Sequence, residues 1–157
     1  MSFGAIQAAL SPSARRVAIR YLVVATAANL LWEIAQLPLY TIWTTATRGG
    51  LAFAVIHCGG GDALILLVTL SASLLLMSDG RWPRQCYGRV AFFATILGVS
   101  VTIFSEWLNV HVFATWAYAP EMPLVPPLGT GLSPLVQWVV IPPTALLLVR
   151  PSRLRTA

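Results

Sequence analysis

Apolar residues run almost unbroken through four stretches of the chain, approximately 17–40, 51–78, 90–112 and 134–149, and Gly, Pro or Arg-rich segments separate them. Each of the first three is long enough to cross a hydrocarbon core of about 30 Å as a helix. The fourth reaches only about 24 Å at 1.5 Å per residue, so it must tilt little, thin the bilayer locally or be completed by the residues before it. The pattern predicts an all-α integral membrane protein. A single domain over residues 1–157 is expected to fold as a four-transmembrane-helix antiparallel bundle.

Helix signals refine this picture. Ser11-Pro12 pairs an N-capping hydroxyl with Pro at the first helical position, and Ser133-Pro134 repeats the arrangement before the fourth span. Gly59-Gly60-Gly61 costs roughly 3 kcal/mol relative to alanine in a continuous helix, so span two is expected to break there or to admit a close neighbour. A break would make Asp62 the N-cap of a second half-helix ending near Met77. Pro142-Pro143 removes two backbone donors in mid-span and predicts a kink in span four.

Charge fixes the orientation. The chain is 57% hydrophobic and 10% charged with a net charge of +5, which alone would admit a nucleic-acid partner. The distribution argues against one. There is no lysine, and nine of the ten arginines fall at Arg15, Arg16 and Arg20, at Arg81, Arg84 and Arg89, and at Arg150, Arg153 and Arg155. With four spans these groups share one side, which the positive-inside rule makes cytoplasmic, together with both termini. Segments 41–50 and 113–133 then face outwards, as in a bacterial inner membrane. Residues 1–10 carry no charge, so span one reads as an uncleaved anchor. Cys58 and Cys86 fall at different depths in this topology and are expected to be free thiols.

Against this background three acids stand out: Glu33, Asp62 and Glu106 lie inside the apolar runs. A carboxylate near the bilayer interior costs roughly 2.5–3.5 kcal/mol on insertion scales, so such groups usually pair, face a cavity or carry function. Asn29, Glu33 and Gln36 follow an i, i+4, i+7 row on span one, and Thr102, Glu106 and Asn109 do the same on span three. His57 and Asp62 on span two and Gln137 and Trp138 on span four reach the same outer half. Polar groups from all four spans therefore converge at one depth. Interhelical hydrogen-bonding glue is the structural alternative, although Asn or Ser would serve as glue without the cost of an acid. The 113–133 segment, rich in aromatics and prolines, reads either as a lid over the outer mouth or as part of an interfacial aromatic belt.

The chemistry available is narrow. A di-iron carboxylate site needs more acids and two Glu-x-x-His pairs, and His57 and His111 are expected at unequal depths for a bis-histidine haem, so no metal or other cofactor is expected. No phosphate loop, nucleophile triad or metalloprotease helix is present. A channel or a proton-coupled carrier lacks a polar path through the inner half. What remains is a membrane-embedded enzyme doing acid/base chemistry on an apolar isoprenoid- or lipid-like substrate, by cyclisation, isomerisation or hydration. Glu106, Asp62, Glu33 and His57 are its candidate catalytic groups. Asn29, Trp32, Gln36, Trp107, Asn109, Trp116, Tyr118, Gln137 and Trp138 would line the substrate pocket, with ring faces available to a carbocation. The alternative is a non-catalytic accessory or assembly subunit of a larger inner-membrane complex. Expected partners are the lipid bilayer and an apolar small molecule, with a homodimer or larger membrane complex open and no nucleic acid.

Overall fold

The computed structural model describes residues 11–151; Arg153, Arg155 and the uncharged first ten residues, used above for orientation and anchoring, lie outside the described residues. Four helices are long and apolar enough to cross a membrane, which supports an integral membrane protein. They are α1 (Pro12–Gln36, extended by a 3-10 turn at Leu37–Leu39), α3 (Arg48–Met77), α4 (Tyr87–Trp107, continued by a π-helical turn at Leu108–Val112) and α5 (Leu132–Val149). A single turn, α2 (Ile42–Thr45), connects α1 to α3. In the segment before α5, β1 (Leu124–Val125) pairs antiparallel with β2 (Thr130–Gly131).

Local signals explain where the helices start. The Ser11 hydroxyl accepts the Ala14 amide at 3.2 Å with Pro12 in the first turn, and the Thr47 hydroxyl accepts the Gly50 amide at 3.1 Å. α5 differs from the expectation. It begins one residue earlier than Ser133, with Gly131 at the cap position and no side-chain cap bond. Ser133 is thereby freed to turn its hydroxyl towards α1.

Packing closes the four long helices into a ring in which α1 and α4 each lie against both α3 and α5. The buried face of α1 carries Ala14, Ala18 and Ala25, small residues that let neighbouring backbones approach. Leu66, Leu70 and Leu74 of α3, Val90 of α4, and Ile141, Ala145 and Leu146 of α5 fill the space between them. At the arginine-rich end Trp82 stacks on Tyr87 with centroids 5.9 Å apart, and the Tyr87 hydroxyl donates to the Leu146 carbonyl at 2.5 Å. The outward faces expose residues such as Leu31, Ile56 and Leu76, as a lipid-facing surface requires.

The glycine run is the main correction. α3 continues as one helix through Gly59-Gly60-Gly61, so span two is not broken and Asp62 is not a helix cap. Breaking a helix in lipid strands several amide and carbonyl groups, each at several kcal/mol, which outweighs the weak helix propensity of three glycines. The second half of the expectation, a close neighbour, holds at one position: a Cβ on Gly59 would lie 3.1 Å from Leu30 of α1, whereas Gly60 and Gly61 meet nothing within 4 Å. The tightest glycine is elsewhere. A Cβ at Gly98 of α4 would stand 2.5 Å from the buried indole of Trp138.

These environments predict opposite outcomes for two alanine substitutions followed by thermal unfolding in detergent. Gly98→Ala should destabilise the protein by about 1–3 kcal/mol through overpacking against Trp138. Gly60→Ala should be neutral or stabilising by up to about 1 kcal/mol, since it gains helix propensity and meets no neighbour.

Candidate functional site

Two hydrogen-bonded clusters grow from the end of the bundle opposite the Trp82–Tyr87 stack. The first begins at Trp32, whose indole N–H donates to Ser133 Oγ at 3.1 Å; Ser133 donates in turn to Gln36 Oε1 at 2.8 Å. The Gln36 amide nitrogen donates to Glu33 Oε1 at 2.8 Å and lies 3.4 Å from Gln137 Oε1. Gln137 then donates to Asp62 Oδ2 at 2.9 Å. A side-chain relay thus starts at an indole, crosses from α1 to α5 to α3, and both of its accepting branches end on carboxyl groups. Helical spacing makes this possible: Gln36 lies one turn beyond Glu33 on the same face of α1, and its carbonyl and NH₂ serve opposite neighbours.

The second cluster holds Glu106. The Tyr118 hydroxyl donates to Glu106 Oε2 at 2.5 Å and accepts the Gly131 amide at 2.9 Å. Tyr118 is fixed by an isolated bridge to Tyr40, and the two rings lie 5.5 Å apart. The Trp116 indole and the Tyr40 hydroxyl lean towards the same carboxyl group, although the Trp116 N–H closes no hydrogen bond. Burial, and then the neighbouring Glu106, pushes the Tyr40 and Tyr118 hydroxyls up from the ordinary tyrosine range, so both remain O–H donors at physiological pH.

Both clusters open onto one cavity of about 370 Å³ between the helices. Glu33 from α1, Asp62 from α3 and Glu106 from α4 all line it, together with Gln36, His57, Asn109, Trp116, Gln137 and Trp138. Asp62 and Glu106 are each only 8% exposed; Glu33 is half-buried. The three are near enough to interact electrostatically. They surround a volume rather than meet at a point, because no three His, Cys, Asp or Glu side chains among the described residues stand close enough to hold a metal ion. No Arg side chain lines the cavity, and the one salt bridge among the described residues, Arg81 to Asp79, is exposed at the far end.

Four of the residues expected at the pocket stand elsewhere. Asn29 is fully buried one turn below Glu33 with neither amide atom partnered, and Trp32 acts through Ser133. Trp107 turns outwards, 42% exposed, beside Phe104. Tyr118 holds Glu106 from behind instead of facing the cavity. His57 lines the cavity but is exposed and stacks on Phe53 at 5.5 Å. Asn109 spends its amide on Ser105 of its own helix. Sequence reasoning missed Tyr40, Thr102 as a lining residue, and Ser133 as a relay. Only Thr102 left a signal, through its place one turn before Glu106. In the 113–133 segment Met122 is buried and Tyr118 is partly buried, while Phe113, Leu124 and Leu128 are exposed.

Compared with known proteins, the chain matches no family model, and neither a curated protein nor a solved structure resembles it significantly.

The relay predicts an asymmetry between two serine substitutions. Ser133→Ala strands the Trp32 N–H and the Gln36 carbonyl and should destabilise by about 1–3 kcal/mol, the cost of leaving buried polar groups unpaired. Ser13→Ala should change thermal stability by less than about 0.5 kcal/mol, because Ser13 is exposed and bonds only the neighbouring Ser11 hydroxyl.

Proposed function

We propose that the protein is a membrane-embedded enzyme that performs acid/base chemistry on an apolar isoprenoid- or lipid-like substrate held in this cavity. The observation that carries the reading is the inward convergence of Glu33, Asp62 and Glu106, from three different helices, on one largely apolar space. Each acid does have a donor, as interhelical glue would require, but glue alone would leave no volume between the acids. An accessory subunit that used its acids for docking would turn at least one polar row outwards.

The division of labour follows from the contacts. Glu106 is the general acid or base: Tyr118 orients it through one oxygen, and the carboxyl group lines the cavity where a substrate would reach it. Asp62 takes the complementary proton-transfer role across the cavity, held by Gln137. Glu33 stabilises positive charge that develops on the substrate, with the aromatic rings of Trp116 and Trp138 in support. Cyclisation, double-bond isomerisation and hydration all need only proton delivery, proton removal and charge stabilisation. None of them requires a redox partner.

The membrane setting is part of the proposal. Alternating helix direction is supported by the contacts of Trp32 and Gln36, at the end of α1, with Ser133 and Gln137 at the start of α5. The arginine asymmetry orients the bundle with Arg15, Arg81 and Arg150 on the cytoplasmic side of a bacterial inner membrane and the cavity towards the outer face. α5 runs as a helix through Pro142 and Pro143. A kink there would set the angle at which Gln137 and Trp138 meet the cavity.

Mass spectrometry of the lipid and isoprenoid extract tests the reading in the native organism. A deletion strain and a Glu106→Gln strain should accumulate the same apolar precursor, while Trp107→Phe, on the outward face, should leave the extract unchanged. Unaltered extracts in both strains, with normal levels of the Glu106→Gln protein, would sink the enzyme reading and leave the accessory subunit.

A further inference from the structure

Each acid in the cavity takes a close hydrogen bond through one oxygen: Glu33 accepts through Oε1, Asp62 through Oδ2 and Glu106 through Oε2. Trp138 also approaches Asp62, as Trp116 and Tyr40 approach Glu106. A further polar group is left waiting at the same place. Thr102, 5% exposed and lining the cavity, has a hydroxyl with no partner. The donors of Gln36, Gln137 and Tyr118 are already directed at the carboxyl groups, so what the cavity offers an occupant is mostly acceptors.

Charge points the same way. Three carboxyl groups share a space that no arginine among the described residues enters, in a chain that has no lysine. A carboxylate buried in a low-dielectric site keeps its charge only beside a counter-charge and otherwise takes up a proton, and no arginine among the described residues supplies that counter-charge in the cavity, which leaves the place open to a cationic occupant. Tyr40, Phe53, Trp116 and Trp138 add ring faces around the same volume, and such faces attract a cation. Apolar residues such as Leu37, Ile42 and Ile65 complete the wall, which suits a hydrocarbon chain and excludes a hydrated inorganic ion.

We infer that the cavity selects a positively charged head group on an apolar chain, of which a protonated alkylamine is the simplest member. The N–H donors of an ammonium group would hydrogen-bond to the carboxyl oxygens and to the unpartnered Thr102 hydroxyl, and the chain would run along the aliphatic wall. This rests on reading the cavity as a substrate site and narrows the substrate class. The head group carries its positive charge when it binds.

The test is a set of four eight-carbon probes added to purified full-length protein in a neutral detergent, with thermal unfolding and calorimetric titration as readouts. Octylammonium offers charge and donors, octyltrimethylammonium charge alone, 1-octanol a donor without charge, and octanoate the opposite charge. Octylammonium should bind on the order of tenfold tighter than 1-octanol, with octyltrimethylammonium between them and octanoate weakest. Binding of 1-octanol or octanoate as tight as that of octylammonium overturns the inference. Glu33→Gln, Asp62→Asn and Glu106→Gln should each weaken octylammonium by at least about threefold and leave 1-octanol unchanged; equal loss for both probes counts against charge recognition. The comparison of probes on the unaltered protein decides the matter even where a variant does not fold. Its failure is separable from failure of the enzyme reading. Cation selectivity with unaltered lipid extracts leaves a binding protein, and altered extracts without cation selectivity leave an enzyme for a neutral lipid.

Discussion

The Gln36–Gln137 pair is the interaction on which the rest of the site depends. Each glutamine faces a carboxyl group with its NH₂ and another donor with its carbonyl, so the pair passes hydrogen-bond direction from the Trp32 indole to Glu33 and Asp62 without leaving a conflict. In water such a relay would contribute little, because solvent could replace any member. Between helices in lipid no replacement is at hand, and each misdirected group would carry its full desolvation cost. That constraint fixes the rotation of α1, α3 and α5 about their axes. Two carboxyl groups are thereby held at the wall of one cavity.

Glu106 completes the site by a different device. It is held from outside the bundle, by a tyrosine on the segment that crosses the outer end, and that tyrosine is itself fixed by the Gly131 amide and by its bridge to Tyr40. The two halves of the site differ accordingly in how they are supported. The relay is locked within long helices, whereas Tyr118 belongs to a segment whose own regular structure is a two-residue hairpin. Movement of that segment would both uncover the cavity and release Glu106.

The hydrophobic pattern made the four helices legible to within a few residues, because spanning a hydrocarbon core demands long apolar runs and little else. Convergence of the acids at one depth was legible for the same reason: helical rise translates position directly into depth. Rotation was not. Trp107 follows Glu106 immediately, yet one step of the helix carries it to the lipid face, and sequence pattern had no means of ranking two adjacent polar or aromatic residues. Ser133 was misassigned for a related reason. A serine before a proline satisfies the rule for a helix cap, but here the helix begins earlier and the hydroxyl is claimed by Gln36 across the bundle. The glycine run misled because its propensity penalty was weighed against water rather than against lipid, where a broken backbone costs more than a flexible one.

The central claim is that Glu33, Asp62 and Glu106 face one shared apolar cavity inside the membrane. Treating the purified protein with dicyclohexylcarbodiimide, a bulky apolar reagent for carboxyl groups, and mapping the adducts by peptide mass spectrometry tests it most directly. The account predicts adducts at these three acids that exclude one another, a single adduct filling the space and blocking the remaining two. Adducts confined to the exposed Asp79 and Glu121, or independent modification of two cavity acids in one molecule, would contradict it.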